Sequence, residues 1–162
     1  MSRARNNLIR RYKRALNKAS DMLEVEITVY YTTGNKIACS SCSWDNVNKE
    51  STNPNCVECN GNFYFDEILS KNVKAMTSRV GVSLQFIPLQ LMGGQIDHND
   101  VFIASKLTDV LIDPADVSGS TIFEQCKYIL LNGDRITKKT TPLKYGPAGY
   151  LYRCAFIGTI DN

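Results

Sequence analysis

Four of the six cysteines in this 162-residue chain fall into two pairs, Cys39-Ser-Ser-Cys42 and Cys56-Val-Glu-Cys59, with thirteen residues between the pairs. Two residues between cysteines let both sulfurs of a pair face one ion from a tight turn, and two such turns complete a tetrahedron. Four thiolates leave no coordination position open, so the spacing predicts a structural Zn2+ with Cys39, Cys42, Cys56 and Cys59 as ligands. Gly61 suits the turn after Cys59, where backbone N–H groups must face sulfur and a Cβ would crowd them. Few large apolar residues accompany the cysteines: Trp44, Phe63, Tyr64 and Phe65 are too few to order so long a loop by burial. A structural zinc contributes on the order of 10 kcal/mol to small modules, which is enough.

Other thiol chemistry fits less well. Three disulfides would require an export signal, and the opening "MSRARNNLIRRYKRALNKAS" has no apolar block, so a reducing cytoplasm is expected. A redox Cys-x-x-Cys belongs at the start of a helix in a βαβ unit, and "CSSC" is surrounded by strand and loop patterns. Cys126 and Cys154 lie inside apolar strand patterns and read as core residues. His98 is the only histidine and sits in the turn-like "GGQIDHND", a surface position. Asp97, Asp100, Asp109, Asp113 and Asp116 match no calcium loop. No nucleophile elbow or phosphate-binding glycine loop is present, so the expectation is a non-enzyme.

The elements that must carry the cysteine segment can be read from periodicity. Leu8, Ile9, Tyr12, Ala15, Leu16 and Ala19 recur at intervals of three and four, the stripe of an amphipathic helix over 1–21. Leu23, Val25, Ile27, Val29 and Tyr31 then alternate with Glu24, Glu26, Thr28 and Tyr30, which predicts a half-buried strand over 23–32. The cysteine insertion is assigned to 36–65 and the main β portion to 72–162, all within one domain. Alternation over 80–86 predicts a strand, with Pro88 at a sheet edge or bulge. "LMGGQIDHNDVFIA" reads as a turn and a strand. "CKYILLNGDRITKK" reads as a hairpin with arms 126–131 and 134–139 about a type I′ turn at Asn132-Gly133. A Pro/Gly-rich loop then leads to a last strand over 150–157. The fold class expected is mainly β: a small antiparallel barrel or sandwich after an N-terminal amphipathic helix, with a zinc-ribbon-like insertion.

Charge is unevenly distributed. Arg3, Arg5, Arg10, Arg11, Lys13, Arg14 and Lys18 precede every acidic residue, while the remainder carries 12 basic against 16 acidic residues, a net of −4. The helix therefore either presents a solvated face or contacts DNA or a subunit through Arg3, Arg5, Arg10, Arg11, Lys13 and Arg14. No apolar run approaches the roughly 20 residues of a membrane helix, so no membrane partner is expected.

Taken in order, these elements resemble the small neck proteins of tailed bacteriophages, the head-closure or head-tail stopper and connector group. The resemblance is carried by the basic helix leading through a strand into a Cys-x-x-Cys insertion, by "GGQIDHNDVFIA", and by the closing "CKYILLNGDRITKKTTPLKYGPAGYLYRCAFIGTI". Where that group often has Gly-Asp before the middle strand, this chain has Asn99-Asp100. The resemblance implies a non-enzymatic virion component, made in the host cytoplasm and located in the neck. It would form a homo-oligomeric ring between a portal or adaptor protein and a tail or tail-terminator protein, and could touch packaged DNA non-specifically. The competing expectation is a zinc-ribbon nucleic-acid-binding regulator. Against it, 43–55 contains one lysine, one aspartate and one glutamate, too little positive charge between the cysteine pairs for a dedicated nucleic-acid ribbon.

Overall fold

A computed structural model of the chain describes residues 3–79 and 97–161. The strand expected over 80–86, Pro88 and the Gly-Gly turn of "LMGGQI" lie outside the described residues. Two compact units are present, one comprising 1–31 with 70–162 and the other 32–69.

The first element is helix α1 (Arg3–Leu23), in the larger unit. Strands follow in the order β1 (Glu24–Ala38), β2 (Trp44–Asp45), β3 (Glu50–Ser51), β4 (Tyr64–Arg79) and β5 (Asp100–Lys106). After the short helix α2 (Leu107–Val110) come β6 (Cys126–Leu131), β7 (Asp134–Lys138), β8 (Leu143–Tyr145), a 3-10 turn (Pro147–Gly149) and β9 (Arg153–Ile160). Strands pair in the order β5-β4-β1-β6-β7-β9, and β9 returns to pair with β5. This is a closed six-stranded antiparallel barrel, the first of the two architectures the sequence admits. Closure rests on seven consecutive partners from Asp100↔Thr159 to Lys106↔Arg153. The other edge of β9 holds β7 at its end and β8 at its start.

Every barrel strand sends apolar side chains to one core: Ile27 and Val29 from β1, Val73 and Ala75 from β4, Val101 and Ile103 from β5, Ile129 from β6, Ile136 from β7 and Phe156 from β9. Leu107, Val110, Ile122 and Phe123, from α2 and the segment after it, complete that core, with the Phe123 and Phe156 rings edge to face at 5.0 Å. Period-two alternation thus fills the barrel interior. β5 and β9 are also buried on their other face, where Phe102, Ala104, Ala155 and Ile157 meet Met76, Leu143 and Tyr145. They therefore read as unbroken apolar runs.

The hairpin forms as expected. Asn132 and Gly133 both have positive φ, 54° and 94°, the requirement of a type I′ turn. Other expectations need correction. Leu23 ends α1 and is exposed, Val25 is exposed too, and only Ile27, Val29 and Tyr31 of the predicted alternating face reach the core. β1 runs on to Ala38, and the 16-residue β4 was not anticipated as a strand. The last strand starts at Arg153 and not at Tyr150, because Tyr150 caps the 3-10 turn with its N–H on the Pro147 carbonyl.

Candidate metal centre

Within 32–69 the two Cys-x-x-Cys turns face one another. The four sulfurs of Cys39, Cys42, Cys56 and Cys59 lie within 4.8 Å of one another, with Cys39 to Cys56 and Cys42 to Cys59 at 3.6 Å. Sulfurs at tetrahedral corners about 2.3 Å from a zinc-sized ion are about 3.8 Å apart, whereas a disulfide needs about 2.05 Å. All four are free thiols. The sequence-predicted ligand set is therefore brought together in a geometry that can hold a metal ion.

Local backbone makes this possible. The Cys39 N–H donates to the Phe63 carbonyl at 2.7 Å, the Cys56 N–H to Asn53 and the Asn62 N–H to Cys59. Gly61 has φ +77°, and a Cβ there would collide with the Pro54 carbonyl oxygen, so the glycine is required on both grounds. Asn60 and Phe63 also take positive φ, 49° and 60°, so backbone strain is concentrated around the second cysteine pair.

Apart from the cysteines, only Thr32 and Ser51 are buried among residues 32–69. The Trp44, Phe63 and Tyr64 rings meet at 4.6 to 5.9 Å in tilted and edge-to-face pairs, yet Trp44 and Tyr64 remain substantially exposed. The unit has no apolar core, and its interior is sulfur. That is the arrangement of a module ordered by metal binding.

The electrostatics point the same way. Backbone N–H groups, led by that of Cys59 and assisted by the Cys42 thiol, draw the Cys56 pKa down to about 7. Burial pushes that of Cys39 up. Four adjacent thiolates repel one another strongly unless a cation neutralises them, so a bound ion would replace the protons. Sequence reasoning missed Glu58, whose carboxylate accepts from Ser41 at 2.9 Å and from the Cys39 thiol at 3.4 Å. It also missed the β2–β3 hairpin, closed by the Asp45 carboxylate accepting from the Val47 and Asn48 N–H groups. The alternation signal is invisible over two-residue strands.

The remaining predicted residues separate into two sets on α1. Arg3, Arg10, Arg11 and Arg14 are exposed, as is Lys18. Lys13 instead turns onto the Tyr150 and Tyr152 rings, 4.5 and 5.6 Å from their centroids, and Arg5 is half-buried beside Gly149. Tyr12 meets Tyr152 edge to face, and Tyr152 donates its hydroxyl to Asn17 at 2.6 Å. The helix docks on Tyr150 and Tyr152, just after the 3-10 turn, through Tyr12, Lys13 and Asn17.

Cys126 and Cys154 are buried, and burial raises both thiols to about 11. His98 is exposed. The five aspartates do not gather at one point: Asp113 and Asp116 close turns on Ala115 and Ser118, while Asp97 and buried Asp100 share the Lys139 ammonium. Among the described residues the cysteine quartet is the one cluster able to hold a metal, and no described helix is long and apolar enough to cross a membrane. No protein-family model matches the chain, and no curated protein matches it in sequence.

Proposed function

We propose that this chain is a structural assembly protein of a tailed-phage neck, a ring-forming component between portal or adaptor and tail that helps close the DNA-filled head. The observation that carries the reading is the surface of 32–69. Ile37, Trp44, Val47, Val57, Tyr64, Phe65, Ile68 and Leu69 are all substantially exposed there, with Val47 and Val57 at 89% and 92%. Apolar side chains concentrated on a module without an apolar core are contact surface awaiting a protein partner. In this reading the metal is Zn2+, matched to an all-thiolate tetrahedral set, and its role is to hold the contact module in shape. The closed barrel is the body on which α1 is carried.

Electron microscopy of the purified protein, alone and mixed with portal-bearing heads, tests the proposal. Rings and head association are expected; their absence from both samples overturns it. A second reading, a zinc-ribbon nucleic-acid binder, is favoured by the exposed arginines of α1. It requires affinity for DNA or RNA that falls steeply with salt, and absence of binding at low salt eliminates it.

A further inference from the structure

Five cations of α1 share one side of the helix. At 3.6 residues per turn, Arg3, Arg10, Arg11, Arg14 and Lys18 fall within an arc of about 100°, along about 22 Å of axis. All five are exposed; Tyr12 docks about 150° around the helix from the centre of the arc and Lys13 about 110° from it, while Asn17, bonded to Tyr152, lies beside the arc about 20° from Arg10. Asp21, the only carboxylate in the helix, falls at the C-terminal end of the same arc, about one turn beyond Lys18. Exposed Leu8 borders the cationic arc.

The unit 32–69 has the complementary character. It carries Lys36 and Lys49 against Asp45, Glu50, Glu58, Asp66 and Glu67, a net of −3. A divalent ion held by four thiolates adds a further −2. Glu50 and Glu58 are exposed, as are the apolar Val47 and Val57. An acidic, apolar-tipped module and a cationic helix face with a leucine at its border are the two halves of one interface.

We propose that the cysteine module of one copy docks on the cationic face of α1 of a second copy. The two patches differ, so the contact is head-to-tail, the kind that propagates around a ring when the rotation closes. This deepens the assembly reading above and rests on it. It assigns α1 to protein and not to nucleic acid.

Charge reversal on the full-length, metal-loaded protein tests the contact, with assembly read by sedimentation and folding by circular dichroism and metal content. Variant one carries Arg10→Glu, Arg11→Glu and Arg14→Glu; variant two carries Glu50→Lys and Glu67→Lys, both away from the cysteine ligands. Each alone should assemble at least tenfold more weakly than the wild type. Their equimolar mixture should recover assembly, because each module then faces a helix of opposite charge. Val47→Ser with Val57→Ser, which leaves charge untouched, should weaken assembly as well. Wild-type assembly itself should weaken between low and high salt.

Either reversal variant assembling like the wild type overturns the proposal, as does a mixture that stays unassembled while both variants are folded. A helix variant that assembles normally but loses binding to a DNA duplex would reassign α1 to nucleic acid. Rings that persist in both variants overturn this contact while leaving the neck reading intact. A wild-type chain that forms neither rings nor head complexes overturns both.

Discussion

The Asp100 carboxylate, fully buried at the start of β5, accepts from the Lys139 ammonium at 2.6 Å. The same carboxylate accepts from the Thr159 hydroxyl at 2.7 Å and from the Asp97 N–H at 2.8 Å, so every described partner of this group is a donor. Asp100 and Thr159 are also the first register pair of the β5–β9 seam that closes the barrel. A charge placed there links the closing seam to the segment that follows β7.

Asp100→Asn tests that link. Burial pushes the Asp100 carboxyl up, and the Lys139, Thr159 and Asp97 donors outweigh it, so its pKa lies below the ordinary value. A depressed folded pKa contributes stability that is present above the unfolded value of about 4 and is lost as pH falls through the folded one. The variant should lose about 2 kcal/mol at neutral pH, a drop in Tm of roughly 5 °C. Below about pH 4 the gap between variant and wild type should narrow. Thermal melts across that range check both statements.

Removal of the metal should affect the two units differently. Cys→Ser at any one of Cys39, Cys42, Cys56 or Cys59 should abolish stoichiometric zinc and expose 32–69 to protease, while the barrel keeps its cooperative melt, because its core contains none of these residues. In the wild type, a thiol reagent should find four reactive cysteines after chelation. All six should react only after denaturation, because Cys126 and Cys154 are buried with thiols near 11.

Gly61→Ala should impair the metal centre without touching a ligand. The position combines φ +77° with a Cβ that would meet the Pro54 carbonyl, a strain of order 1–3 kcal/mol. Zinc affinity, measured by competition with a chromogenic chelator, should fall at least roughly tenfold.

Lys13→Met keeps the aliphatic stem and removes the charge that sits over Tyr150 and Tyr152. Docking of α1 should weaken by about 1 kcal/mol. Amide exchange in α1 should quicken accordingly, while β5 and β9 stay protected. The same change at exposed Lys18 should leave exchange unaltered.

Much of this architecture is legible in the sequence where its cause is local. Asn132-Gly133 announces its turn because both residues tolerate positive φ, and the strands on either side follow from it. The four cysteines announce their cluster because a two-residue spacing already points both sulfurs of a pair one way. β4 escaped notice for a physical reason. Only Val73 and Ala75 of its sixteen residues are buried, and 64–69 belong to a unit without an apolar core, so no alternation marks the strand. Likewise Lys13 and Arg14 are adjacent cations in the sequence, and their different surroundings depend on where Tyr150 and Tyr152 fall.

By itself, then, the sequence determined the helix, the hairpin, the cysteine quartet and the predominance of β structure, since each follows from the preferences of residues near one another. Tertiary structure decided that the sheet closes through β5 and β9, whose residues Asp100 and Thr159 are paired although distant in the chain. It also decided which cations of α1 are held against tyrosines and which face outward, and that the cysteine unit is built around sulfur with its apolar residues outside. These depend on long-range register and on what each side chain finds opposite it, which no local preference encodes.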